Sequence, residues 1–186
     1  KGFANIQANL AFGQEWEQED LQVYASQLKI LSDFYFEHPE LQRCSLLNLN
    51  IAAALNLQGK HRKYCGCGET MVCTDVDGKD YPCQMFAPIT LDRQRIESYG
   101  LTDFSNHDEF VNSSCRDCLL LNACPRCYGM SYKMTGDVRY REPFMCKAFK
   151  IQFVSNCLLT KRLIERNPQM DADGVIGETL AFIDKY

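Results

Sequence analysis

The sequence predicts an α+β chain: a small cysteine-rich domain with a β-hairpin and loops, a long C-terminal helix after it, and one strand and helix before it. Three observations carry this. Apolar residues recur at helical intervals from Gln18 to Glu37, two short strand-like runs flank Asp77-Gly78, and eleven cysteines lie between Cys44 and Cys157, most of them ahead of the last long apolar periodicity.

Taken in order, Phe3 to Phe12 alternates moderately through Phe3, Ile6, Ala8, Leu10 and Phe12, and so reads as a buried strand. Leu21, Tyr24, Leu28, Leu31 and Tyr35 then mark a helix, with Pro39 beyond it as a stop. One strand and one helix cannot cover their own apolar surface, so further chain is expected upstream. The apolar stretch from Ser45 to Leu55 fits either period and is taken as a linker. Lys60, His61, Arg62 and Lys63 form a short basic run, which reads as a solvated loop.

From Glu69 to Phe86 the pattern is strand, turn, strand, because Asp-Gly is a strong hairpin signal and glycine reaches positive φ freely. The hairpin carries Cys73 on one arm and Cys83 on the other. Asp75, Asp77 and Asp80 belong to its turn chemistry. After Asp103 the chain is loop-like to about Tyr128, with a turn at Thr135-Gly136-Asp137. Pro143 suits a first helical turn, and Phe149, Phe153, Cys157 and then Leu158, Arg162 trace i to i+4 rows toward Arg166. A last short helix is expected over Glu178 to Ile183, after a polar loop at Asp171 to Gly174.

Composition narrows the function. Hydrophobic residues make up 46% and charged residues 24%, which predicts a folded chain. A formal net charge of -4 offers no basic stripe for phosphates, so nucleic acid is not an expected partner. No apolar run approaches a membrane span and Lys1 to Leu10 lacks a signal-like apolar core, so no membrane is expected and the reading is cytoplasmic. Eleven cysteines in that setting call for a bound group. Their odd number and the lack of an export signal disfavour a disulfide framework.

The cysteines fall in two stretches, Cys67-x5-Cys73-x9-Cys83 and Cys115-x2-Cys118-x5-Cys124-x2-Cys127, with Cys146 further on. Eight thiolates suit two tetrahedral zinc sites or two cubane clusters, and spacing alone does not separate these. His38, His61 and His107 have no partner at ligand spacing, and Cys44 and Cys157 read as buried thiols.

The pattern Cys67-x10-Gly78-x4-Cys83, the 115 to 127 run and the distant Cys146 resemble the SPASM domain, the C-terminal extension of many radical S-adenosylmethionine enzymes. The wording Thr-Asp-Val-Asp-Gly-Lys-Asp-Tyr-Pro-Cys around the hairpin is similar as well. Two features depart from the family: two residues rather than three separate Cys124 from Cys127, and Cys65 stands two residues before Cys67 as a possible alternate ligand.

The resemblance implies the end of a partial (β/α) barrel and a linker over residues 1–62, the auxiliary-cluster domain over 63–150 and a helical extension over 151–186. It implies two 4Fe-4S clusters, one on Cys67, Cys73, Cys83 and Cys127, the other on Cys115, Cys118, Cys124 and Cys146. It also implies a parent oxidoreductase or maturase that modifies a peptide or protein side chain, similar to anaerobic sulfatase-maturing enzymes and peptide maturases, with a flavodoxin or ferredoxin as reductant. No Cys-x3-Cys-x2-Cys is present, so S-adenosylmethionine and a third 4Fe-4S cluster are expected only in an N-terminal part, and this portion alone should be inactive. Arg126, Tyr128 and Tyr132, beside the cysteines, are candidates for tuning a cluster. The alternative is a non-catalytic zinc module that binds a protein partner.

Overall fold

The computed structural model describes residues 5–55, 62–171 and 174–185. In chain order its helices are α1 (Gln18–Glu37), α2 (Arg93–Tyr99), α3 (Tyr128–Thr135), α4 (Pro143–Arg166) and α5 (Val175–Ile183), and its strands are β1 (Cys73–Thr74) and β2 (Asp80–Tyr81). The architecture is α+β, with a small antiparallel hairpin and a long helix near the C-terminus. No helix among the described residues is long and apolar enough to cross a membrane. The chain forms two compact units, one of Lys1–Leu57 with Pro143–Tyr186 and one of Gln58–Glu142.

The first unit is helical. α1 spans the periodic stretch read from the sequence, and its start is fixed where the Asp20 carboxylate accepts from the Glu17 amide at 2.7 Å. Its buried face, including Leu28 and Tyr35, meets Leu159 and Leu163 of α4, with Cys44 and Leu47 closing the core. At the other end of α1, the Arg166 guanidinium donates to the Phe36 carbonyl at 2.6 Å, and Arg162 lies over the Phe36 ring and pairs with Asp33 at 2.7 Å.

Two expectations for this unit change. Residues 5–11 form no strand; the Ala8 amide donates to the Ser45 hydroxyl and the Ile6 carbonyl accepts from the Ser45 amide, so side-chain and single backbone bonds replace a ladder. Alternation of apolar residues does not make a strand without a neighbouring edge to pair with. The stretch taken as a linker consists of two 3-10 turns, Ser45–Leu47 and Ile51–Leu55, with Leu47 and Ile51 in the core. Its backbone is held by the buried Asn156 of α4, whose amide oxygen accepts from the Leu49 amide at 3.0 Å and whose amide nitrogen donates to the Leu46 carbonyl at 2.8 Å. The segment expected as a C-terminal extension, α5 included, thus shares one unit with α1. Asp171 caps α5 by accepting from the Ile176 and Gly177 amides.

The second unit carries the hairpin and most of the cysteines. Cys73 pairs with Tyr81 and Thr74 with Asp80. Asp75 organises the turn: one carboxylate oxygen accepts from the Asp77 and Lys79 amides and the other from the Tyr81 hydroxyl, which holds that carboxyl below its ordinary range. Gly78 completes the turn at φ +78°. The strands are shorter than the sequence pattern suggests, since Cys83 lies past β2 as the cap of a 3-10 turn, Gln84–Phe86. The core is an aromatic cluster in which Phe86 meets Tyr99 and Phe104 edge-on and Phe110 meets Tyr128 in the same way. α2 and α3 supply Tyr99, Tyr128 and Tyr132 to it. Gly136, read as a turn residue, ends α3 in the left-handed conformation.

Gly68 and Gly78 both have positive φ, but they differ in space. A Cβ on Gly68 would lie 2.5 Å from Phe104, whereas one on Gly78 meets nothing within 4 Å. In urea unfolding, Gly78→Ala should cost about 1 kcal/mol from backbone strain alone. Gly68→Ala should cost about 3 kcal/mol or more, because strain and overpacking combine. Equal costs would contradict this packing.

Candidate thiolate centre

Residues 62–72 wrap into a knuckle around one carbonyl. The Gly66 carbonyl accepts from the amides of Glu69, Thr70 and Met71, at 2.9, 2.9 and 2.8 Å. The Gly68 amide reaches the Pro82 carbonyl at 2.9 Å, which sews the knuckle to the residue before Cys83. Two buried sulfurs are brought together in this way, Cys67 Sγ and Cys83 Sγ, at 3.8 Å. Cys65 interacts with Cys67, and charge on Cys83 and Cys65 would raise Cys127.

The protons distribute unevenly among these sulfurs. The neighbouring sulfurs of Cys65 and Cys83, together with burial, push the Cys67 thiol up, so it stays protonated, and its S–H faces Cys83 Sγ. Cys65 is lowered to about 6, first by the hydrogen bond from Cys67 and further by a backbone amide bond and the nearby Lys63 charge. Cys83 is lowered to about 7, again by Cys67 first, and then by the amides of Met85 and Phe86. Cys127 is raised, mainly by burial, although the Met130 and Gly129 amides at the start of α3 work the other way.

Backbone amides therefore face the sulfurs of Cys65, Cys83 and Cys127. Thiol sulfur is a weak acceptor, so such a set of donors suits sulfur that carries negative charge, as a metal ligand does. The chemistry of these sulfur donors is that of candidate thiolate ligands. Among the described residues, no three His, Cys, Asp or Glu side chains stand in a ready-made metal-holding arrangement.

The remaining expected ligands are distributed as follows. Cys73, half-buried on β1, pairs with Tyr81 and so shares the face from which Cys83 follows two residues on. Cys115 ends a 3-10 turn, Ser113–Cys115, and the Cys118 amide donates back to the Cys115 carbonyl at 3.1 Å. Cys124 accepts from the Arg141 guanidinium at 3.1 Å. Cys146 lies in the first turn of α4, in the other unit. Cys44 and Cys157 are buried, and burial pushes Cys157 up to about 11.

Lys63 corrects the reading of a solvated basic run. Its side chain is fully buried, and its ammonium donates to the carbonyls of Cys67, at 2.6 Å, and Phe104, pairs with Glu69 at 3.2 Å and lies 5.0 Å from the Phe110 ring centre. Nothing in a run of four basic residues distinguishes the buried one. His107 serves the same assembly, accepting from the Lys63 amide at 2.8 Å and facing Glu69 at 3.3 Å. Lys60 and His61 lie outside the described residues.

The tuning candidates beside the cysteines make defined contacts. The Tyr128 hydroxyl accepts from the Tyr64 amide, the Tyr132 hydroxyl bonds Ser98 and the Arg95 carbonyl, and Arg126 donates to the Leu121 carbonyl at 3.0 Å. A separate groove in this unit, lined by Glu109, Tyr132, Asp137 and Arg139, holds no sulfur, and Asp137 is paired there with Arg139 at 2.9 Å.

No family model, no characterised protein and no solved structure matches this chain.

The proton distribution is open to chemical test in the metal-stripped, reduced chain. With iodoacetamide at pH 7, Cys65 should be alkylated first and Cys67 last among Cys65, Cys67 and Cys83, as read by peptide mass spectrometry over time. Early labelling of Cys67 would contradict the assignment of its proton.

Proposed function

We propose that this chain is the auxiliary 4Fe-4S cluster portion of a radical S-adenosylmethionine oxidoreductase or maturase that modifies a peptide or protein side chain. The observation that carries the reading is the gathering of Cys65, Cys67 and Cys83, with Cys127 beside them, under backbone amides suited to charged sulfur. In this reading Cys67, Cys73, Cys83 and Cys127 hold one cluster, with Cys65 as the alternate to Cys67. Cys115, Cys118 and Cys124 serve a second. The helix α1 and the segment before it would then belong to the end of a partial barrel.

Bound clusters would supply one-electron transfer near a substrate. The chain's own residues provide the surroundings. Phe86, Phe110 and Tyr128 form the apolar packing next to Cys67 and Cys83, Lys63 brings a buried positive charge, and the amides of Met85, Phe86, Gly129 and Met130 offset charge on sulfur. Four thiolates around the first cluster would leave no open iron position there, which favours electron transfer and structural support over direct substrate binding.

A zinc module that binds a protein partner is the second reading, and one distance favours it. Sulfurs at roughly 2.3 Å from a tetrahedral zinc lie roughly 3.8 Å apart, the separation of Cys67 and Cys83.

Anaerobic reconstitution with iron and sulfide, with zinc offered in a parallel sample, separates the two. The cluster reading expects brown protein with about eight irons per chain. Under the same conditions Cys118→Ala should lose about half of the iron, while Cys44→Ala keeps it all. Colourless protein holding only zinc would reject the cluster reading, and equal iron loss in the two variants would reject the ligand assignment.

A further inference from the structure

The outer face of α1 carries a row of apolar residues that the described residues leave uncovered. Val23, Ile30 and Phe34 are 59%, 61% and 46% exposed. Their spacing of seven and four residues puts them in one line along the helix. Val23 and Ile30 each follow a core residue, Leu21 or Leu28, by two positions, so the row lies roughly 200° round the helix from the face packed in the core. Single exposed apolar residues are ordinary on a protein surface, whereas three in one row on a helix form a contiguous apolar face.

The charges at the two ends of the row define what fits it. Glu19 stands four residues before Val23 and Glu37 three residues after Phe34, both exposed and both on the same line. α1 has four acidic residues, and its single basic residue, Lys29, is held by Asp33 at 2.9 Å. Asp33 also takes Arg162, so the ion pairs of this helix leave Glu19 and Glu37 without a cation among the described residues. In the last turn Glu37 works against the helix dipole, so helix stability does not account for it. The two carboxylates span about 18 residues, or about 27 Å along the axis.

A second copy of this chain does not satisfy the face. Antiparallel pairing of two α1 helices sets Glu19 of one copy against Glu37 of the other at both ends, and parallel pairing sets each against its own counterpart. An anionic lipid surface is repelled by the same carboxylates. What satisfies both the apolar row and its ends is a helix with apolar residues along one face and Lys or Arg at either end of it.

We propose that this face of α1 docks an amphipathic helix with basic ends, supplied by another protein. The proposal stands apart from the cluster reading, since it uses no sulfur.

The test uses the whole gene product, so that any segment of the same polypeptide already lying on α1 blocks binding and overturns the proposal. The probes are two fluorescein-labelled synthetic helical peptides of about 18 residues with one leucine face, one ended in lysines and the other in glutamates. Fluorescence anisotropy should show the lysine-ended peptide binding, more weakly as salt is raised, and the glutamate-ended peptide binding at least about tenfold more weakly. Ile30→Gln combined with Phe34→Gln should lower affinity for the lysine-ended peptide about tenfold or more, with unchanged far-UV circular dichroism. Glu19→Lys combined with Glu37→Lys should reverse the preference between the two peptides, which a merely unfolded variant would not do. That reversal also decides the matter if the glutamine variant does not fold. No binding of the lysine-ended peptide, or an unreversed preference, overturns the proposal. So does full affinity in a folded glutamine variant, or a dimer in sedimentation that the glutamine variant dissociates.

Discussion

Bringing ionisable sulfurs together in a small apolar core sets the electrostatic constraint that the second unit is built around. Two unit charges about 4 Å apart repel by about 4 kcal/mol at an effective dielectric of about 20, so Cys67 and Cys83 at 3.8 Å cannot both ionise without compensation. Cys67 meets this by keeping its proton and sharing it with its neighbours. The amides of Met85 and Phe86 and the buried Lys63 contribute the rest of the compensation. A cation among the sulfurs would take over the part played by that proton, which ties metal uptake to proton release.

The same constraint explains why Lys63 is tolerated inside an aromatic cluster. A buried ammonium is costly unless each of its donors is used. Here the carbonyls of Cys67 and Phe104, the Glu69 carboxylate and the faces of Phe104 and Phe110 surround it. Because two of those partners come from the cysteine knuckle and its flank, the charge also fixes the carbonyl of Cys67. Packing and electrostatics are the same feature in this corner of the molecule.

How much of this was legible in the sequence depends on whether the signal was local. α1 was readable because Leu21, Leu28 and Tyr35 recur at helical spacing, and the start of α4 because Pro143 opens it. The hairpin turn was readable through Asp77-Gly78, as was the conformation of Gly136 in outline. The strand expected before α1 failed because pairing needs a partner edge, which no single segment encodes. Leu47 is buried against Leu159 and Leu163, more than a hundred residues away, and so its burial was invisible. Among the sulfurs, spacing grouped Cys67 with Cys83, but the closeness of Cys65 and the contact of Arg141 with Cys124 arise only from folded geometry.

The helical unit is discontinuous along the chain, since it is left at Leu57 and re-entered at Pro143. Docking α1 on α4 therefore requires the intervening chain to close as a loop, and the entropy of that closure depends on how extended the excursion is. An insertion folded around its sulfurs is a short tether, whereas an unravelled one is a long tether. Should the insertion take up a metal, chain connectivity alone would couple that uptake to the cohesion of α1 and α4.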